Sequence, residues 1–323
     1  MNTTDKALNL TVSKEAAGTR LDRFLADSLP SHSRAFWQRL VKEGMVLLDG
    51  KICSVSKTEL PPASEISITM PDEEHTHTEL VAEKIPLAVL YEDADMLVLN
   101  KAAGMVVHPA AGNRTGTVAN ALAGRDPNFI AELEEEDDKS EEQRLRPGIV
   151  HRLDKDTSGC LVVAKNASSQ FKLSRAFAER NVQKVYAAIV YGHLERKSGE
   201  IKESIGRHPV HRKKMAVNER GREAHSKYKA LKSGFINAVP ATLLEITILT
   251  GRTHQIRVHM SHIRHPVVGD SVYGGRQRIA APRQMLHAWK LSIPRPADGE
   301  MLHFESPFPE DFAAMLDGLE ERA

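Results

Sequence analysis

A polar break at residues 71–82 constrains this chain more than any other feature, because it parts two stretches that are each patterned to bury a core of their own. It opens with Pro71-Asp72-Glu73-Glu74 and reads as a linker. Before it lies a module at 18–70. Leu21, Phe24, Leu25 and Leu29 recur at helical spacing, and Pro30 ends that helix. Ser33 is placed as the N-cap of a second helix carrying Phe36, Trp37, Leu40 and Val41, which Gly44 closes. Asp49-Gly50, set between Val46-Leu47-Leu48 and Lys51-Ile52, marks a hairpin. Ile66, Ile68 and Met70 alternate as one more strand. Residues 1–17 are polar and are expected to be loose.

The second domain is expected over 83–318. Val89-Leu90-Tyr91, Met96-Leu97-Val98-Leu99, Leu161-Val162-Val163, 184–190 and the alternating Leu244, Ile246 and Ile248 read as strands. Helices are expected at 117–123, 167–180 and 253–264. Strands and helices do not alternate regularly, so the fold class is α+β, built on a mixed, largely antiparallel sheet with flanking helices. No internal repeat is visible.

The 323 residues suffice for two domains, and 41% hydrophobic with 27% charged residues is ordinary for a soluble globular protein. Cys53 and Cys160 stand far apart and share no metal-type spacing, which fits a reducing compartment. No signal peptide is seen, and no apolar run approaches the roughly 20 residues that cross a bilayer. A cytoplasmic protein without membrane attachment is expected, with a monomer as the default.

The net charge of +1 hides a segregation. Residues 207–229 carry eight Lys or Arg against two acids, and residues 252–290 carry seven against one. An acidic run at 132–142, with eight acids against Lys139, balances them. It reads as a solvated surface insertion, whereas two basic stretches suit a surface that faces phosphates. The histidines in those stretches match no zinc pattern, so no metal is expected.

The most informative segment is Gly148-Ile149-Val150-His151-Arg152-Leu153-Asp154-Lys155-Asp156-Thr157-Ser158-Gly159, which runs into the apolar strand at 161–163. An Asp fixed in a turn between buried strands is costly unless it is paired. Asp156, ahead of Thr157-Ser158-Gly159, reads as a turn-stabilising carboxylate. The stretch HRLDKDTSG resembles the catalytic signature of the RluA-type pseudouridine synthases. In the order expected of that family, 100–109 resembles its first motif, 184–188 its tyrosine strand and 251–259 its basic motif; Gly269-Asp270 and Leu286-His287-Ala288 follow. Residues 18–70, with the Arg20-Leu21-Asp22-Arg23-Phe24-Leu25 opening, resemble an S4 RNA-binding domain. The resemblance covers about nine tenths of the chain.

The resemblance implies an isomerase that turns uridine into pseudouridine in structured RNA, with Asp154 as its essential carboxylate. It implies that Tyr186 stacks on the target base and shares in proton removal, and that Arg252 pairs with Asp154 and holds it charged. It implies that Arg152 sits by the gap left by the flipped nucleotide, and that Ile256 and Leu161 wall the pocket. Arg34, Arg39, Lys42 and Lys51 of the S4 module, together with Arg212, Lys213 and Arg257, are expected to face RNA. These residue types suit the task. Extruding a base costs a few kcal/mol, and stacking on an aromatic ring recovers about 1–3 kcal/mol. A guanidinium within about 4–6 Å opposes the cost of burying a carboxylate. The reaction moves no phosphoryl group and changes no redox state, so no cofactor is expected. Attack by Asp154 on C1′, attack on C6 and proton removal from the sugar all remain open.

Within the family, an S4 module points to 23S rRNA or a precursor of the large ribosomal subunit as partner. Residues 106–113 and 207–217 resemble most the subtype that modifies the helix 69 loop; the acidic insertion and Ala102-Ala103 depart from the pattern. A ribosomal subtype acting on other uridines is the nearest alternative. A non-catalytic RNA-binding assembly factor and a hydrolase or nuclease using Asp154 are the readings from other classes, and intact Asp154, Tyr186 and Arg252 argue against the first.

Overall fold

In the computed structural model, the structure describes residues 7–30, 32, 34–70, 80–110, 113–126, 146–211, 214–276 and 278–320. Ser33, the acidic run at 132–142, Arg212, Lys213 and residues 71–79 of the expected linker lie outside the described residues. The chain divides into two compact units, Met1–Glu79 and Leu80–Ala323.

In the first unit, β1 (Ala7–Thr11) precedes α1 (Leu21–Ser28) and α2 (Arg34–Lys42). β2 (Val46–Leu48) and β3 (Lys51–Ile52) flank the Asp49-Gly50 turn, and β4 is Glu65–Thr69. The four strands form an antiparallel sheet in the order β1-β4-β2-β3. The segment 1–17, expected to be loose, thus supplies a strand: Leu8 and Leu10 pair opposite Ile68 and Ile66. Leu21, Leu25, Trp37, Leu40 and Val41 bury the helix faces against Ile66 and Ile68 of the sheet. Burial of that apolar surface holds the small unit together.

The buried Asp22 sits among them. It accepts from Arg20, at 2.8 Å and 3.1 Å, from Arg34 and from Gln38. Burial alone would push its carboxyl up, but those hydrogen bonds outweigh burial and hold it below the usual range. Arg34 is therefore committed in part to the core of this unit. Arg39, Lys42 and Lys51 are exposed.

The second unit carries β5 (Val89–Glu92), β6 (Met96–Lys101), α3 (Val118–Arg125), β7 (Ser158–Ala164), α4 (Ala167–Ala178) and β8 (Gln183–Tyr191). There follow β9 (Ser198–Ile201), β10 (Ile205–Arg207), β11 (Met215–Val217), β12 (Ser226–Ile236), β13 (Val239–Ile248), α5 (Gln255–His262), β14 (Leu286–Pro294), β15 (Met301–Glu305) and α6 (Glu310–Asp317). Among the described residues, nine strands share one sheet in the order β5-β6-β7-β14-β8-β13-β12-β9, with β15 on β14; β10 and β11 form a separate ribbon. Every pairing in the large sheet is antiparallel except that of β14 with β7.

β7 shows why the site is rigid. All seven of its residues are buried, as befits a strand covered on both faces. Leu161 and Val163 pack with Val118 and Leu122 of α3. Cys160, Val162 and Ala164 pack with Leu173 and Ala176 of α4. At its start, Gly159 lies opposite Ala288 of β14 with φ 111°, and a Cβ there would collide with the Ala288 carbonyl. The residue that follows Thr157-Ser158 must be glycine for the turn to enter the sheet at that point.

Candidate active site

Three elements converge on one cleft of about 380 Å³. The turn before β7 brings Arg152 and Asp154, β8 brings Tyr186, and the start of α5 brings Arg252, His254 and Arg257. The turn is fastened by its backbone. Thr157 donates to the Asp154 carbonyl at 3.1 Å, and the Lys155 carbonyl accepts from Gly104 and from the Lys101 ammonium, each at 3.0 Å. The Asp156 carbonyl accepts from Arg283, whose other edge is paired with Asp311. His151 Nε2 accepts the Val162 amide at 2.8 Å, and its ring stacks on Phe177. Burial drives the His151 imidazole down to about 3, so it is a neutral acceptor there.

The carboxylate of Asp154 keeps 19% of its surface and accepts from Arg257 at 3.0 Å. Arg257 is almost fully buried and spans two acids, because its other edge meets Asp270 at 2.7 Å and 3.0 Å. Burial opposes the charge on Arg257, but Asp270 and Asp154 outweigh it and push the guanidinium further toward its charged form. Asp270, itself wholly buried, also accepts from the Val272 and Tyr273 amides. Burial would raise its carboxyl, yet Arg257 and those amides hold it below the usual range.

Two expectations are corrected here. Arg252 does not pair with Asp154; its Nε donates to the Glu223 carbonyl at 2.9 Å. Burial, with the Arg222 and Arg180 guanidiniums, pushes its charged form down against the pull of Glu223. Arg257, expected to face RNA, is instead the partner of the carboxylate. The reason is local: Arg252 precedes α5, whereas residues 255–260 are all buried on the helix. A guanidinium between Ile256 and Val258 must find carboxylates inside the fold.

Tyr186 is 8% exposed and lines the cleft. Burial, reinforced by Asp154 and then Cys160, pushes its phenol above the ordinary range, so at neutral pH it presents an O–H and a ring face. Arg152 is exposed at the cleft and Ile256 forms part of its wall, while Leu161 lies in the core beneath. Lys101 and Asp270 fall in motifs quoted from the sequence but were given no role there, and Arg283 was not named. The available signal was a charged residue closing an apolar strand for Lys101; the acceptors it meets are carbonyls of Ala102, Met105 and Lys155, which sequence does not announce. Among the described residues, no group of three or more His, Cys, Asp or Glu is placed to hold a metal ion, and no helix is long and apolar enough to cross a membrane.

Residues 95–262 match the RNA pseudouridylate synthase family and residues 19–66 match the S4 domain. The chain is 40% identical to ribosomal large subunit pseudouridine synthase D of Nitrosomonas europaea, over 98% of this chain and 88% of that protein. It is 42% identical to the protein of the same description from Pseudomonas aeruginosa, over 94% of this chain and 92% of that one. Among solved structures, human RNA pseudouridylate synthase domain containing 1 superposes with a TM-score of 0.57 at 31% identity, covering 71% of this chain and 86% of that chain. A fold in which an S4 domain accompanies a mixed sheet that presents one carboxylate beside a buried tyrosine thus has a family: this chain belongs to the RNA pseudouridylate synthases. It is an isomerase of uridine in RNA.

Proposed function

We propose that the protein isomerises uridines of large-subunit ribosomal RNA, in the helix 69 loop of 23S rRNA, with Asp154 as the catalytic carboxylate. The observation that carries the chemistry is the pairing of a partly open Asp154 with a buried Arg257 at 3.0 Å, on the wall of a cleft shared with Tyr186. The target is supported by the relatives, which are ribosomal large subunit pseudouridine synthases, and by the S4 match.

Isomerisation breaks the bond between N1 and C1′, turns the uracil and joins C5 to C1′, with the C5 proton leaving and N1 taking one up. The cleft is of a size that takes one nucleoside. Tyr186 offers its ring as the stacking face and Arg257 gives Asp154 a charged partner. Arg152, exposed beside them, reaches the place a flipped nucleotide leaves. Arg252, which lines the cleft, supplies positive charge for phosphates there. The S4 unit adds affinity through exposed Arg39, Lys42 and Lys51. The protein is placed by this reading in the cytoplasm, acting during assembly of the large subunit.

The test is pseudouridine mapping of 23S rRNA from cells that lack the protein, complemented with wild type or with Asp154→Asn. Wild type restores the helix 69 pseudouridines and Asp154→Asn leaves them as uridine while still binding RNA. Helix 69 modification that persists without the protein refutes the target; turnover by Asp154→Asn above about 1% of wild type refutes the role of the carboxylate.

A further inference from the structure

His254 stands in the same cleft and has no part in the reading above. It is the residue just before α5, and its backbone is left-handed, with φ 57° and ψ 22°. A side chain other than glycine holds that conformation against strain, and such strain gathers at functional sites. The effect is to turn the imidazole into the cleft, where Nε2 comes to 4.0 Å from Asp154 Oδ1.

The protonation of this ring follows from its neighbours. Nδ1 lies 2.8 Å from the Tyr273 hydroxyl, and that hydroxyl already accepts the Met215 amide at 2.9 Å. Burial pushes the Tyr273 phenol up, so the hydroxyl keeps its single hydrogen. The arrangement that satisfies that hydrogen is donation to Nδ1. Nδ1 is then an acceptor and the ring proton sits on Nε2. The carboxylate of Asp154 favours the same tautomer, since it repels a lone pair and attracts an N–H. Burial, with Arg257 and Arg152 adding to it, pushes the imidazole below its ordinary value against the pull of Asp154 and Asp270. His254 is therefore neutral, with Nε2–H directed into the cleft, and among the described residues Nε2 meets no acceptor within hydrogen-bond distance.

We propose that His254 is a further catalytic residue: its Nε2–H, fixed by the Tyr273 hydroxyl, donates a hydrogen bond to a carbonyl oxygen of the uracil as negative charge builds there. This rests on the reading of Asp154 as the catalytic carboxylate. When the N1–C1′ bond breaks, its electron pair leaves with the uracil and spreads over the ring amide oxygens. When Asp154 adds to C6, the charge collects on O4 instead. In each case a donor already aimed at that oxygen stabilises what forms, and no proton need leave the imidazole. Neutrality matters, because an imidazolium would close on Asp154 and tie up the oxygen meant for the substrate. Tyr273, by donating to Nδ1, opposes protonation there and is a positioning residue.

Selective ¹⁵N labelling of histidine in the full-length protein reads the tautomer directly. A protonated Nε2 and a bare Nδ1 at neutral pH are expected, and the opposite tautomer or an imidazolium overturns the proposal. His254→Asn is chosen as the variant because Asn tolerates the left-handed conformation. It is expected to melt no lower than wild type and to bind 23S rRNA fragments with the same Kd, while kcat falls about 10- to 100-fold with KM within about twofold. His254→Gln, which restores an N–H donor of similar reach, recovers part of kcat. A His254→Asn enzyme that keeps kcat within twofold, or that loses it only along with melting temperature, overturns the proposal. Asp154→Asn run alongside separates the two failures: if it is inactive while His254→Asn is fully active, only the role of His254 falls; if it is active, the reading of the site falls with it.

Discussion

Lys101→Met makes a sharp test of how the catalytic turn is held. The Lys101 side chain is buried, with 2% of the residue exposed, and its ammonium donates to the carbonyls of Ala102 and Met105 at 2.8 Å and of Lys155 at 3.0 Å. Burial drives it from 10.5 down to about 7, against the attraction of Asp156 and Asp154 and with a smaller push from Arg283. A base whose folded value lies below its unfolded value binds fewer protons when folded, so stability rises with pH between the two values. Integrating that slope, the cost of the buried charge falls by about 2 kcal/mol between pH 7 and pH 9. Methionine has no such slope. Near pH 7 the substitution removes a costly charge but leaves three carbonyls unpartnered, at about 1–3 kcal/mol each, so the two effects largely offset. At pH 9 only about half of that cost is left to offset the loss, and the deficit of the variant grows by about 2 kcal/mol. Urea unfolding of both proteins at several pH values measures it. Slopes from other buried groups, such as Cys160, whose thiol burial pushes up to about 12, and Lys184, whose ammonium burial pushes down, are common to both proteins and cancel in the difference. Parallel stability curves for wild type and Lys101→Met would refute the reasoning, because they would show that the three carbonyls keep the ammonium charged throughout.

Asp270→Asn removes the charge that anchors Arg257 from behind and turns a bidentate partner into a mixed one; stability falls by about 1.5–3 kcal/mol in urea, and kcat falls because Arg257 is then free to clasp Asp154 with both edges. Arg252→Ala weakens RNA binding and flattens the dependence of log K on log salt by about 0.7–0.9, read by filter binding at several salt concentrations, with melting temperature unchanged. Asp22→Asn weakens the S4 unit by about 1.5–3 kcal/mol. Because Asp22 is held below the usual range, its contribution is present at neutral pH and is lost as the pH falls below about 4, so the variant and wild type converge in acid, as amide exchange in 7–70 would show.

The helices of the S4 unit, the Asp49-Gly50 hairpin and strands β5 to β8 were legible because apolar periodicity and turn residues agree there. β1 was not, since Leu8 and Leu10 gain their meaning only opposite Ile68 and Ile66, almost 60 residues away. β12 was hidden in a basic stretch. Lys227 and Lys229 alternate with Tyr228 and Ala230 on a half-exposed strand, and a bulge near Ala230 breaks the period further on. Asp154 and Tyr186 could be named from sequence, but the choice between Arg252 and Arg257 could not be made from a motif that contains both. What separates them is the strained turn at His254, which starts α5 at Gln255 and leaves one arginine ahead of the helix and the other on its buried face. Periodicity held a clue, since Arg257 shares that face with Ile256 and Met260, and an arginine set among apolar residues calls for an acid such as Asp270.

The charges around the turn follow from where each acid can reach solvent. Asp270 is fully buried and takes two bonds from Arg257, whereas Asp154 is 19% exposed and takes one. A guanidinium anchored by both atoms of one edge has its remaining N–H fixed in direction. Arg257 therefore reaches Asp154 through Oδ2 alone, and Oδ1 stays open to the cleft, with His254 no closer than 4.0 Å. Had the two acids exchanged places, the fork would have closed on the reacting carboxylate and spent both of its oxygens on structure. Placing the stronger pairing on the acid that never meets substrate gives the other a charged neighbour and a free oxygen at the same time. A single arginine between two aspartates can supply both only when the acids differ in burial as these do.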